Sequence, residues 1–262
     1  MTQADPFDKK SRITRFDLFK VFIASFFMQA VWNFRSLISI GFSICFLPVI
    51  HKLCNTPEEK RQFLKRHLKF FNAHPYFASY ALGVSIRLEE MKAEGEKQIP
   101  ETIDRLKDLL ISPLGAVGDR LFWATIKPAV LLTGMLGIFL LPGITLKLIS
   151  LVITFLLYNI PHLYYRYRGI VEGYQHPLDI HRFISQQRFE KLRAFFVFLL
   201  VLSLICLLLS YGYFLFKISI SQLLFFIFSA LYALIFFRIS NNFYLVTLGT
   251  FIFFLFASIL FL

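Results

Sequence analysis

The sequence predicts an all-α, polytopic integral membrane protein with interfacial amphipathic helices and a broken or re-entrant helix hairpin. Three observations predict it. Of 262 residues, 57% are hydrophobic and 34 are Phe, and mean hydropathy is +0.64; soluble domains hold about 45–50% apolar residues. Charge is unevenly spread: from Ala194 to Leu262 only Lys217 and Arg238 are charged. The remaining apolar block, 129–157, is broken by Pro142-Gly143, a turn signal.

The C-terminal third holds three apolar runs. Residues 194–216 and 243–262 are long enough to cross, since about 20 residues at 1.5 Å each span about 30 Å of hydrocarbon. Residues 222–237 are slightly short and would span with help from their flanks. Lys217 and Arg238 stand at run ends, where long side chains reach the interface. Each half of the 129–157 block is too short to cross alone. It therefore reads as a broken or re-entrant hairpin or one kinked span, a feature tolerated beside protein or a water-filled cavity.

The middle of the chain is amphipathic. In "TPEEKRQFLKRHLKFFN" (56–72) Thr56 is an N-cap, Pro57 the first helical residue and Glu59 the return partner of a capping box. Phe63, Leu64, His67, Leu68 and Phe71 form an apolar stripe against Lys and Arg, as suits a membrane interface; the alternative is a helix packed on a core. Residues 76–95 repeat apolar positions with helical period and stop at Gly95, and 100–110 is a third amphipathic helix. Residues 52–108 carry eleven Lys/Arg and nine Asp/Glu, which assigns them to the cytoplasmic face. Lys9, Lys10, Arg12 and Arg15 precede the first apolar segment, which makes the N-terminus cytoplasmic. The expected divisions are 1–112, an apolar segment with cytoplasmic-face helices; 113–193, a motif-bearing core; and 194–262, transmembrane helices.

Net charge is +12. In a soluble protein this would suggest nucleic acid; here the positive-inside bias and the attraction to anionic headgroups explain it, and no nucleic-acid partner is expected. Cys45, Cys54 and Cys206 form no metal or redox pattern. His176 and His181, with only Asp179 between them as a ligand type, make a weak metal site. No metal or cofactor is expected. The Arg- and Tyr-rich stretch "YYRYRGIVEGY" (164–174) closes an apolar run, a position that usually marks the headgroup zone.

"PLGAVGDRLFWATIKP" (113–128) sets Asp119-Arg120, two glycines and Trp123 at the doorstep of a membrane segment. Carboxylates and amides at such a place can hydrogen-bond a polar ligand, and rings can cover an apolar face of it. Asp119, Asn33 and Asn72 offer the polar groups, Trp32 and Trp123 the rings, and Gly115 and Gly118 close backbone approach. His74, before Pro75, is a turn residue or a ligand. The alternative for Asp119 is an ion pair with Arg120 or Lys127, and for the Trp residues an interface belt.

Four motifs carry a resemblance. "MQAVWNF" (28–34), "RHLKFFNAHPYFASYALGVSIRLEE" (66–90), "PLGAVGDRLFWATIKP" (113–128) and "YRYRGIVEGY" (165–174) resemble, in order and spacing, the IID membrane subunit of mannose/fructose/sorbose-type sugar phosphotransferase systems. The likeness covers roughly residues 15 to 180, with Arg120 where the family usually has Pro. It implies a permease subunit in the cell inner membrane that forms a path for a hexose-type sugar with a IIC membrane subunit. Cytoplasmic IIA and IIB phosphocarriers would relay phosphate from phosphoenolpyruvate, so the chain itself would not be an enzyme and none of its six histidines would be catalytic. The alternative is a non-transporting IID-like protein with a partner-binding or regulatory role. A membrane enzyme using Asp119 and a histidine finds no supporting motif.

Overall fold

The computed structural model describes residues 11–96 and 99–217, with scattered helical residues between 227 and 253. Among the described residues the regular structure is helical, with two isolated β-bridges and no named strand. The chain divides into two compact units, Met1–Leu204 and Ile205–Leu262.

Short helices open the first unit: α1 (Arg15–Ala24), α2 (Ser39–Ile44) and α3 (Ile50–Leu53). A capping box joins Thr14 and Asp17 at the start of α1. The Asp17 carboxylate also takes the Lys52 ammonium at 2.6 Å, so one acidic residue fixes α1 to α3. Helix α4 (Pro57–His67) begins on the expected box: Glu59 N–H donates to Thr56 Oγ1 at 3.2 Å, with Pro57 in the first turn. Of its apolar stripe, Phe63 and His67 are fully buried and meet Phe42 and Phe46 of α2 and the residues after it, whereas Leu68 is exposed. The stripe thus builds a protein core.

Helix α5 (Ala78–Ala93) is buried on every side through Ile86, and its chain turns off at Gly95, whose φ of +102° is a conformation that glycine adopts freely. Against it runs α8 (Gly143–Gln175). Gly83 faces Ile170 so closely that a Cβ on it would lie 2.1 Å from the Ile170 carbonyl oxygen; one on Gly173 would lie 2.3 Å from the Tyr80 oxygen. Glycines let the two backbones touch, as tight helix crossings require.

The third amphipathic helix does not stop near 110. It is α6 (Ile99–Gly118), and it continues without interruption through a π-helical stretch, Asp119–Ile126, into α7 (Lys127–Leu140). After Leu141-Pro142 the chain reverses into α8, where Gly143 takes φ +67°. The expected hairpin is present. Its arms, short in apolar sequence, are the ends of much longer helices, because the polar motif before Lys127 is itself helical. Gly134 packs on Thr154, and Gly137 on Ser150. These small residues close the hairpin tip within the chain.

Among the described residues, three helices are long and apolar enough to cross a membrane: Glu101–Leu140, Gly143–Gln175 and Ile180–Tyr213. The last overlaps α9 (Gln186–Lys217), which contains the expected 194–216 span. Thr133 of α7 and Ser203 of α9 hydrogen-bond at 2.9 Å, satisfying two hydroxyls that hydrocarbon cannot. The second unit continues α9 and adds helical residues, with Tyr232 stacked on Phe253 at 4.9 Å. The expected spans 222–237 and 243–262 fall largely outside the described residues.

Candidate functional site

The stretch "DRLFWATI" (119–126) is π-helical. A π turn inserts an extra residue into the helical repeat, and such bulges concentrate at functional sites. Here the wider turn directs Leu121, Phe122, Thr125 and Ile126 inward and leaves Asp119, Arg120 and Trp123 exposed. Thr125 Oγ1 donates to the Arg120 carbonyl at 2.8 Å. Gly118 precedes the turn because His74 fills the space: a Cβ there would lie 2.3 Å from the His74 Cβ.

His74 is 1% exposed. Its Nδ1 accepts from the Tyr76 N–H at 3.3 Å, and its ring stacks on Phe122 and leans on Trp123, with centroids 5.4 and 4.9 Å away. Nε2 is buried and has no protein partner. Burial first, then the nearby Arg166 guanidinium and His162, push the His74 pKa down to about 3. In the fold His74 is therefore neutral at every physiological pH.

The ion-pair alternative for Asp119 is not formed. Arg120 Nη1 donates instead to Gln186 Oε1 at 2.6 Å, and neither Asp119 nor Lys127 has a salt bridge within the chain among the described residues. Asp119 is a solvent-facing carboxylate without an internal counter-charge. Asn33 is differently placed. Its Oδ1 accepts from the N–H groups of Arg35 and Ser36 at 3.0 and 2.9 Å, and its Nδ2 donates to Ser36 Oγ at 2.9 Å, so its amide organises its own turn. Trp32 is half-exposed against Phe34. The turn is tied to the Asn72 segment: Leu37, with φ of +54°, bridges both Asn33 and Phe71. Asn72 is exposed.

The six candidate residues thus form two groups joined by residues 71–74. Asp119, Trp123 and His74 surround one turn; Trp32, Asn33 and Asn72 lie about the Leu37 bridges. The first group offers an unpaired carboxylate and a half-exposed indole on a buried, uncharged base. That is hydrogen-bonding and ring-face chemistry.

Sequence reasoning missed the cluster beneath. Arg166 faces protein: it is 4% exposed, its Nη1 donates to the Ser25 carbonyl at 2.5 Å, and its guanidinium lies 5.0 Å over the Tyr76 ring. Tyr76 stacks on His162 at 3.8 Å and shares a 2.9 Å hydrogen bond with Tyr158. Tyr76 thereby connects α8 to His74 and Phe122. The available signal was a titratable residue, His162, next to Pro161 within an apolar helix, which is costly in lipid unless it faces protein. The Glu89-Glu90 pair was also unassigned. Glu89 Oε1 accepts from Arg66 at 2.7 Å and meets the His67 ring at 3.0 Å. Glu90 takes the Arg12 and Ile13 N–H groups at 2.7 and 3.1 Å.

The burial of two neutral histidines has a pH consequence. The pKa of His67 is lowered by burial although Glu89 pulls it up, and that of His74 is about 3. Unfolded histidine titrates near 6.5. A depressed folded pKa means that the unfolded chain binds the extra proton, so stability is complete above about 6.5 and is lost as pH falls toward the folded value. His74 alone is expected to cost about 2 kcal/mol between pH 7 and pH 5. Melting of detergent-solubilised protein at the two pH values measures it, and His74→Gln should remove part of the difference. A melting temperature unchanged down to pH 5 would contradict neutral burial.

Comparison with known proteins shows the family. Residues 12–210 match the model of the family described as PTS system mannose/fructose/sorbose family IID component. The chain is 34% identical over 174 residues to the PTS system mannose-specific EIID component of Escherichia coli (strain K12), covering 65% of this chain and 59% of that one. It is 30% identical over 185 residues to the fructose permease IID component of Bacillus subtilis (strain 168), covering 71% and 66%. It thus spans about three fifths of the length of the Escherichia coli relative. Among solved structures it resembles a chain of the mannose transporter ManYZ in complex with microcin E492, with TM-score 0.57, 31% identity, and coverage of 76% of this chain and 71% of that one. A second membrane protein structure matches with TM-score 0.64 and 32% identity over the same shares. The four motifs, the all-helical fold with membrane-length helices and the matched span of 12–210 agree: the chain belongs to the IID components of the mannose/fructose/sorbose family of phosphotransferase-system permeases.

Proposed function

We propose that this chain forms the sugar translocation path of a phosphoenolpyruvate-dependent permease together with a IIC membrane subunit. The exposed, unpaired Asp119 on the π turn beside Trp123 carries the reading. The π turn presents this carboxylate outward with no salt bridge of its own among the described residues, free to accept from a ligand or partner group. Asp119 accepts hydrogen bonds from sugar hydroxyls, Trp123 covers a C–H face, and His74 and Gly118 fix the turn from below. Asn72 and Trp32 extend the surface; Asn33 shapes its rim. The IIC subunit supplies the opposite wall. IIA and IIB proteins on the cytoplasmic side carry the phosphoryl group, and this chain binds and conducts without catalysing. The assembly lies in the cell inner membrane with the N-terminus cytoplasmic. Arg12 Nη2 donates to the Ala93 carbonyl at 3.2 Å, so the N-terminal segment and the charged 90–96 turn share one side.

The test is calorimetric sugar binding to the purified complex with its IIC partner, with folded complex quantified separately. Asp119→Asn keeps volume and removes the charge. A charge-assisted hydrogen bond contributes about 1.5–3 kcal/mol, so affinity is expected to fall roughly ten- to a hundredfold, and Trp123→Leu should weaken binding as well. Normal affinity in both variants would remove the sugar site from this turn. A wild-type complex that assembles but neither binds nor transports sugar would favour the partner-binding or regulatory role.

A further inference from the structure

The hairpin arms do not touch along their whole length. Glycine contacts at Gly134–Thr154 and Gly137–Ser150 close them near the tip. Toward Lys127 they splay and enclose a groove of about 630 Å³ between Val130, Leu151 and Phe155. This falls within the about 300–1,000 Å³ typical of small-ligand sites.

The polar groups of the lining are few, and most are already engaged. Thr154 Oγ1 donates to the Ser150 carbonyl at 2.7 Å, Tyr158 bonds Tyr76, and Asn159 Nδ2 donates to the Phe155 carbonyl at 2.9 Å. The Lys127 ammonium remains. It is exposed, forms no salt bridge among the described residues, and stands at the same end of the groove as Tyr158 and Asn159. It lies thirteen residues, or about 20 Å, from the hairpin tip at Leu140. The arrangement is an apolar slot in a membrane hairpin with one uncompensated cation at its mouth.

We propose that this groove is a binding site for an anionic phospholipid of the surrounding bilayer, with an acyl chain between the arms and the phosphate on Lys127. Hydrocarbon fills the slot as efficiently as side chains would. The headgroup phosphate supplies the counter-charge that the chain lacks, as basic pockets between membrane helices do for anionic lipids. Lys127 reaches it by extending its stem along the apolar wall.

The experiment uses the full chain, purified with its membrane partner, in nanodiscs containing phosphatidylglycerol that bears a diazirine on its acyl chain. Photolysis and peptide mass spectrometry locate the adducts, and competition with unlabelled phosphatidylglycerol or phosphatidylcholine gives relative affinity. Adducts are expected on the 130–131 and 151–155 segments, with phosphatidylglycerol competing about fivefold better than phosphatidylcholine. Lys127→Gln should abolish that preference, and Lys127→Arg should keep it. Absence of adducts in the groove would mean that a protein covers it and would overturn the proposal. Equal competition by the two lipids, or a preference that survives in Lys127→Gln, would overturn it as well.

Discussion

Gly83→Ala is expected to abolish accumulation of folded protein, although it adds one methyl group. That methyl would lie 2.1 Å from the Ile170 carbonyl oxygen and 2.7 Å from the Tyr174 nitrogen. Both are backbone atoms of α8, and no rotamer change moves them. Overpacking of flexible side chains costs typically 1–3 kcal/mol; here whole helices must separate by more than an ångström. The contacts of Tyr80 with Gly169 and Gly173 lie on the same crossing and would loosen together. We expect a loss of about 3 kcal/mol or more, large against a stability of about 5–15 kcal/mol. The measurement is the yield of monodisperse protein by size exclusion in detergent. Gly115→Ala is the control: no atom lies within 4 Å of its Cβ position, and alanine gains about 1 kcal/mol of helix propensity, so its yield should match or exceed wild type. Wild-type yield of Gly83→Ala would show that α5 and α8 tolerate separation.

Local signals in this sequence were readable because their partners lie within a few residues. The Thr56–Glu59 box, the Gly95 stop, the Pro142-Gly143 reversal and the 194–216 span each follow from rules that act over one or two turns. Interior proline predicts a kink or a stop, yet α6 continues through Pro113, held by buried neighbours such as Leu110 and Leu114. Gly134, Gly137 and Ser150 suggest, as small residues on apolar helices, a surface for a partner; in the fold Gly134 and Gly137 meet Thr154 and Ser150 of the same chain. Gly212 and Ala230 are further small residues on apolar runs: Gly212 has no atom within 4 Å of its Cβ position, and Ala230 lies outside the described residues. Arg166 sits at an apolar run's end and looks interfacial until Ser25, 141 residues away, receives it.

The candidate site divides in the same way. Asp119 and Trp123 stand out as candidates because a carboxylate and an indole at the edge of a membrane helix are chemically conspicuous. The reason for Gly118 was not legible, since His74 is distant in sequence and only the fold brings them together. Asn33 was chosen by chemistry, and its geometry engages both ends of its amide locally. A polar residue type alone cannot tell a ligand from a turn, whereas the hydrogen-bond partners can.

Glu90→Ala is expected to release the N-terminal segment from the fold. The Glu90 carboxylate is fully buried. Its Oε1 accepts from the Arg12 and Ile13 N–H groups and from the Ser11 hydroxyl at 3.2 Å. Its Oε2 accepts from the Tyr174 hydroxyl at 2.5 Å and from Arg87 at 2.8 Å. One side chain therefore joins the segment before α1 to α5 and α8. Alanine would strand these donors and leave Arg87 without its charge partner; breaking a buried pair costs about 3–5 kcal/mol, and each orphaned donor about 1–3 kcal/mol. Part of this is recovered if the N-terminal segment detaches and hydrates, so local release is the cheaper response. Trypsin reads it at the Arg12–Ile13 bond, which Glu90 holds from both sides. An opening made easier by about 2–3 kcal/mol raises the cleavage rate roughly thirty- to a hundredfold. Glu90→Gln keeps an acceptor for the two N–H groups and should cleave at an intermediate rate. Glu89→Ala is the contrast, because its hydrogen-bond partners are Arg66 and His67 on α4 and its further ion pair is with Lys92 on α5 itself: it should destabilise α4 while leaving the Arg12–Ile13 bond protected. Equal cleavage of Glu90→Ala and wild type would mean that Lys52–Asp17 and the packing of Ile13 suffice to hold the segment, and that the second acidic residue of the pair acts on Arg87 and Tyr174 alone.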